Sequence, residues 1–121
     1  MFSYSGIKQY HQQLINRETD CFQAVSHYLE RIDQNSYLNA FVEVYAQEAL
    51  DKARRLDEER LSGKPMKRLH GVVVALKDVI CYQGHKVTAA SNILHGFEST
   101  FSASAVQYLL EEDAIIIGNC N

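Results

Sequence analysis

The side chain in this sequence best placed to do chemistry is Lys77. It sits in "LHGVVVALKDVI", Leu69 to Ile80, where an apolar run, Val72-Val73-Val74-Ala75-Leu76, is broken by Lys77 and Asp78 before apolar residues resume. Two readings of such a lysine stand open. At the end of a buried strand it can simply carry the chain out to solvent, its stem along apolar surface and its ammonium in water. Alternatively, the C-terminal ends of strands are where α/β proteins place their sites, and a lysine partly desolvated there can lose its proton and act as a base. Val79 and Ile80, directly after it, favour an interior setting. Successive strand residues point to opposite faces, so Asp78 is not expected to pair with Lys77; a structural role is expected, bonding backbone or hydroxyl groups in the turn.

The other chemically capable residues are dispersed. His11, His27, His70, His85 and His95 show no metal-ligand spacing on one element, so they read as surface or core histidines. Cys21, Cys81 and Cys120 form no C-x-x-C and are odd in number, which indicates neither a disulfide framework nor a zinc site. Cys81 has no base beside it and reads as a packing residue. Gly71, Gly84, Gly96 and Gly118 make no phosphate-cradling pattern.

The elements that must position Lys77 can be read from periodicity. Phe22, Val25, Leu29 and Ile32 recur at helical spacing from about Thr19 to Gln34, with Thr19 or Asp20 as cap. A second helix runs from about Tyr45 to Leu61, with Ala46, Ala49, Leu50, Ala53 and Leu56 on one stripe and charges elsewhere. "SGKP" ends it, Gly63 suiting a C-cap. A shorter helix is expected around Ile7 to Ile15. Val72 to Leu76 reads as a strand covered by helices on both sides, Lys86 to Thr88 as a short strand, and Ala114 to Ile117 as a second fully apolar strand. Between them a helix is expected through Glu112, with Ser102 as its cap. The class is α/β with a helical N-terminal layer and no domain boundary.

The net charge of −3, from 12 basic and 15 acidic residues mixed along the chain, leaves no basic stripe for a phosphate backbone. The N-terminus lacks the basic flank and apolar core of a signal peptide, and no window approaches the ~18 apolar residues of a membrane span, so a cytoplasmic protein is expected. The sequence ends at "AIIIGNCN", directly after an apparent buried strand. A strand with nothing beyond to cover it reads as the front of something longer.

At Lys77 the sequence also resembles a known family. "LHGVVVALKDVI", then "GHKVTAASNIL", then "SASAVQYLLEEDAIIIGNCN" are similar to the N-terminal portion of the amidase-signature enzymes. The likeness is collinear from "LNAFVEVYAQEAL", which opens the second helix, to the last residue, about two-thirds of the sequence. Within the family, the helix, the "VTAASNILHGFES" loop and "LLEEDAIIIG" look most like the glutamine-hydrolysing subunits of the enzymes that transamidate mischarged tRNA.

The resemblance implies an α/β/α fold with a central mixed sheet, of which residues 1–121 form the N-terminal portion of a single domain. It implies that Lys77 is the base of a Ser-cisSer-Lys triad that hydrolyses an amide through an acyl-enzyme, with backbone amides stabilising the oxyanion. The implied substrate is glutamine, whose ammonia passes to partner subunits. Those partners would use ATP and magnesium and would make most of the tRNA contact, which suits the acidic balance here. No cofactor is expected on this segment. Hydrolytic amidases share the lysine strand, so a stand-alone amidase acting on small amides, or a short non-catalytic module of the same fold, are the rival expectations.

Both triad serines lie, in the family, beyond Asn121. Ser91, Ser99, Ser102 and Ser104 are not expected to replace them, and the segment alone should be inactive. Two departures stand out: Asn119-Cys120-Asn121 where the family often has Lys-Thr-Asn, and Arg68 where a proline often precedes the turn.

Overall fold

The apolar stripes expected of helices fold as such, and each has an identifiable start or stop. In the computed structural model, which describes residues 2–3, 5–78, 80, 82–85 and 102–120, the elements are α1 (Ile7–Ile15), α2 (Cys21–Gln34), β1 (Phe41–Val44), α3 (Ala46–Leu61), β2 (Val73–Lys77), α4 (Ser104–Glu111) and β3 (Ile115–Cys120). Asp20 caps α2, its carboxylate accepting from the Gln23 N–H at 2.7 Å. A second carboxylate serves the same helix from outside: Asp57 on α3 accepts from the Cys21 and Phe22 amides at 2.8 and 3.0 Å and is held by Arg60 at 2.8 Å. The donors left over at the α2 N-terminus thus dock it onto α3. At the far end of α3, the Gly63 and Lys64 amides return to the Arg60 and Glu59 carbonyls, the Schellman closure that the "SGKP" turn chemistry predicts.

The sheet differs from expectation in one strand. "FVEV", which the sequence joins to the opening of the second helix, is β1; helix α3 starts only after Tyr45. Strand order is β1-β3-β2, with β1 antiparallel and β2 parallel to β3. The mixed sheet is therefore built around β3, which is buried along Ile115 to Asn119. Gly118 is required where β1 crosses β3: a Cβ there would collide with the Glu43 carbonyl oxygen and meet the Phe41 ring. Both ladders shift register at this point, between Phe41 and Glu43 and between Val74 and Ala75.

Two cores lie on the two faces of the sheet. Ile115 and Ile117 pack with Tyr10, Leu14, Cys21, Val25, Ala53 and Leu56 of the α1–α2–α3 layer. Ile116 and Leu76 pack with Val106 of α4 and with Tyr45. This is the expected α/β/α layering, but β2 is not covered on both faces as its sequence suggests: Ala75 is exposed and Val73 and Val74 are half-buried, because β2 is the edge of this three-stranded sheet. Ser102 does not cap α4 either. The helix begins at Ser104 with Ala103 at the cap position, and the Ser102 hydroxyl instead accepts from the Gln83 N–H at 2.9 Å. The strand expected at Lys86 to Thr88 lies outside the described residues. Among the described residues no helix is long and apolar enough to cross a membrane.

Candidate active site at the end of β2

The site is built by fixing both ends of β2. At its start, "LHG" is a tight turn in which Gly71 has φ +72°, and a side chain there would run into Cys21 Sγ and the Tyr10 hydroxyl. Only glycine takes this backbone so close to α1 and α2. The Tyr10 hydroxyl donates to the Gly71 carbonyl at 2.9 Å, His11 Nε2 donates to the His70 carbonyl at 2.9 Å, and the Gly71 amide donates to the Asp113 carbonyl at 3.0 Å. Helix α1 and the turn before β3 thereby clamp the strand at its root.

At its tip, the Asp78 amide donates to the Cys120 carbonyl at 2.7 Å, extending the parallel ladder one residue past Lys77. The Asp78 side chain, 3% exposed, accepts from Asn119 Nδ2 at 2.8 Å. The partner shown is a carboxamide of the neighbouring strand. Asn119, one of the departures from the family's usual residues, was not read as a site residue. Its signal was a polar residue closing an otherwise fully apolar strand.

Alternation puts Lys77 on the opposite side, in line with Val73 and Ala75. That side opens on a groove of about 900 Å³ lined by Leu29, Ile32, Phe41, Val44, Ala75 and Ile117. Lys77 itself is exposed. Burial acts upon Lys52 on α3. Its Nζ donates to the Ala114 carbonyl, and burial, aided by the charge of Arg55, lowers its pKa from the usual lysine value. The sequence puts Lys52 among the charges off the apolar stripe of its helix; in the structure it ties α3 to the residue before β3.

The remaining candidates fall as packing residues or outside the described region. Cys21 is fully buried and its thiol is pushed up to about 12, first by burial and then by the Asp57 charge, so it stays protonated near neutral pH. His70 is 2% exposed, and its Nε2 has no hydrogen-bond partner among the described residues. Burial, then the Arg60 charge, lowers its pKa. Ser104 is the first residue of α4. Cys81, His95, Ser91 and Ser99 lie outside the described residues.

The Amidase family matches residues 23–121. This chain belongs to the amidase-signature family. Among curated relatives, a glutamyl-tRNA(Gln) amidotransferase subunit of Chlorobaculum parvum is 39% identical over 109 residues, covering 90% of this chain and 23% of its own length. The corresponding amidotransferase subunit of Protochlamydia amoebophila is 36% identical over 122 residues, covering all of this chain and 25% of its own. The native peptide amidase of Stenotrophomonas maltophilia superposes with a TM-score of 0.89 at 28% identity, over 98% of this chain and 25% of that one. A bacterial aryl acylamidase of the amidase-signature family shares the fold, with a TM-score of 0.88 at 21% identity over 98% of this chain and 25% of that one. The chain spans about a quarter of the length of the relatives it matches.

Proposed function

We propose that Lys77 is the base of a Ser-cisSer-Lys triad that hydrolyses the side-chain amide of glutamine and supplies ammonia for transamidation of a mischarged tRNA. The observation that carries this is positional. Lys77 is held at the tip of β2 by the Asp78–Cys120 and Asp78–Asn119 bonds, within a stretch collinear with the glutamyl-tRNA(Gln) amidotransferase relatives. The two serines come from outside these residues, so this chain supplies the lysine-bearing N-terminal quarter of the domain and is inactive by itself. In the complete enzyme a neutral Lys77 amine takes a proton through the bridging serine while the nucleophilic serine attacks the amide carbon, and backbone amides hold the oxyanion. The ammonia passes to partner subunits, where ATP and magnesium activate the tRNA-borne glutamate or aspartate; the setting is cytoplasmic.

The test is Lys77→Ala in the complete enzyme. Glutamine hydrolysis is expected to be lost with the fold intact, and retention of most of the activity overturns the assignment. A second reading, a stand-alone amidase, is favoured by the likeness to the peptide amidase. Transfer of labelled amide nitrogen from glutamine to charged tRNA in the presence of partner subunits separates the two, since a stand-alone amidase releases that nitrogen as free ammonia.

A further inference from the structure

The Ile80 amide returns to the Lys77 carbonyl at 2.9 Å, and Tyr82 to His85 closes a turn in which the His85 amide donates to the Tyr82 carbonyl at 3.0 Å and Gly84 has φ +79°. Glycine at the third position with positive φ is the requirement of a type II turn. The turn is then held by its last residue. His85 lies flat on Tyr82, with centroids 3.8 Å apart and planes 9° apart, and Tyr45 meets the side of this stack, 4.3 Å from the His85 ring and 5.8 Å from that of Tyr82. Its Nε2 lies 2.7 Å from Glu48 Oε2 on α3 and its Nδ1 lies 2.8 Å from the Gln83 carbonyl. A carbonyl and a carboxylate can only accept, so the ring makes both bonds when both nitrogens carry protons. The imidazole is only 14% exposed although it belongs to a surface turn, whereas Glu48 is 55% exposed.

We propose that Glu48 and His85 form a latch that pins the turn after β2 to the first turn of α3 and so positions Lys77 and Asp78. The proposal rests on the reading of Lys77 as the triad base. Without the latch the segment keeps the Asp78–Cys120 and Ile80–Lys77 bonds and the Gln83–Ser102 bond but loses its tie to α3. Acting through this segment, Glu48 and His85 are positioning residues.

The experiment uses the enzyme at its full natural length with its partner subunits. Glu48→Ala, His85→Phe and the double variant are compared by amide hydrogen exchange over residues 78–85 and by kcat and KM for glutamine hydrolysis. Alanine preserves the α3 helix, and phenylalanine preserves the stack on Tyr82 while removing both ring hydrogen bonds. Each single variant is expected to speed exchange in this segment about tenfold. Each should also lower kcat several-fold with KM little changed, and the double variant should be no worse than the singles. Unchanged exchange in either single, or losses that multiply in the double, overturns the latch. Faster exchange with unchanged kcat overturns its positioning role. Lys77→Ala, run alongside, separates the two claims: hydrolysis retained with wild-type exchange overturns the triad reading, and the positioning role with it, whereas the exchange of the latch variants still reports the tie to α3.

Discussion

The two ends of β2 are built on opposite terms. Its root, at His70 and Gly71, is enclosed by Tyr10, His11, Cys21 and the Asp113 carbonyl, with no room for even one added methyl group at Gly71. Its tip carries an exposed Lys77 on one side and a buried Asp78 on the other. The root is a stability device, and substitutions there should act on folding. The tip has a buried hydrogen-bonded pair on one side of the strand end and the exposed lysine on the other, and on the proposed reading substitutions of that lysine should act on activity and not on folding.

The sharpest break of this comparison is Lys77→Ala. On the proposed triad reading, hydrolysis by the complete enzyme should fall by about a thousandfold or more while circular dichroism shows the fold intact. Next comes Gly71→Ala, which should destabilise by about 2–4 kcal/mol through overpacking against Cys21 and Tyr10 and a left-handed backbone. Equilibrium denaturation would show it, and a cost under about 1 kcal/mol would mean that the root is not closed. Asn119→Ala tests the buried side of the tip: removing the amide that serves Asp78 should cost about 1–3 kcal/mol. A combined loss of stability and activity there would show that the pair holds the strand end as well as the fold.

A smaller effect distinguishes the root by pH. His70 has a folded pKa below the ordinary 6.5, so the native state prefers the neutral ring. Its contribution is complete above about 6.5, the unfolded value, and is lost as pH falls below it, because the unfolded chain then binds the proton more readily. Denaturation midpoints measured from pH 7.5 down to 5 should decline, and His70→Gln should flatten that decline; parallel curves would remove His70 as the cause. The smallest expected change is a gain. Asp113 has φ 67° in the closing turn of α4, where the Asp113 and Ala114 amides return to Leu110 and Leu109. Asp113→Gly should stabilise by up to about 1 kcal/mol, provided the Gly71 amide keeps its bond to residue 113.

The parts legible from sequence were those whose signal is local. Helices α1, α2 and α3 announce themselves by apolar spacing, by Asp20 at a cap and by Gly63 before Pro65 at a stop; β3 does so by an unbroken run of isoleucines. Strand β1 did not, because four residues running straight into a helical pattern carry too little alternation to outweigh it. Its partner, β3, lies some seventy residues later in the chain, as the Val44–Gly118 pairing shows. Ser102 looked like a cap because serine before an apolar stripe is one, but the turn at Gln83 claims its hydroxyl. Lys52 shows the same limit in reverse: a lysine among charges on a helix reads as solvated until β3 brings a free carbonyl within its reach.

The candidate site divides along the same line. The sequence by itself determined that a lysine follows an apolar strand, and its collinearity with amidase-signature enzymes pointed to Lys77 without any knowledge of the fold. Only the tertiary structure decided that this lysine is exposed, that Asp78 takes Asn119 as its partner, and that Glu48 reaches His85 across thirty-seven positions of chain. The physical reason is range. Periodicity, caps and turn residues act within a few positions, whereas burial and hydrogen-bond partners depend on which distant strand or helix arrives beside a side chain.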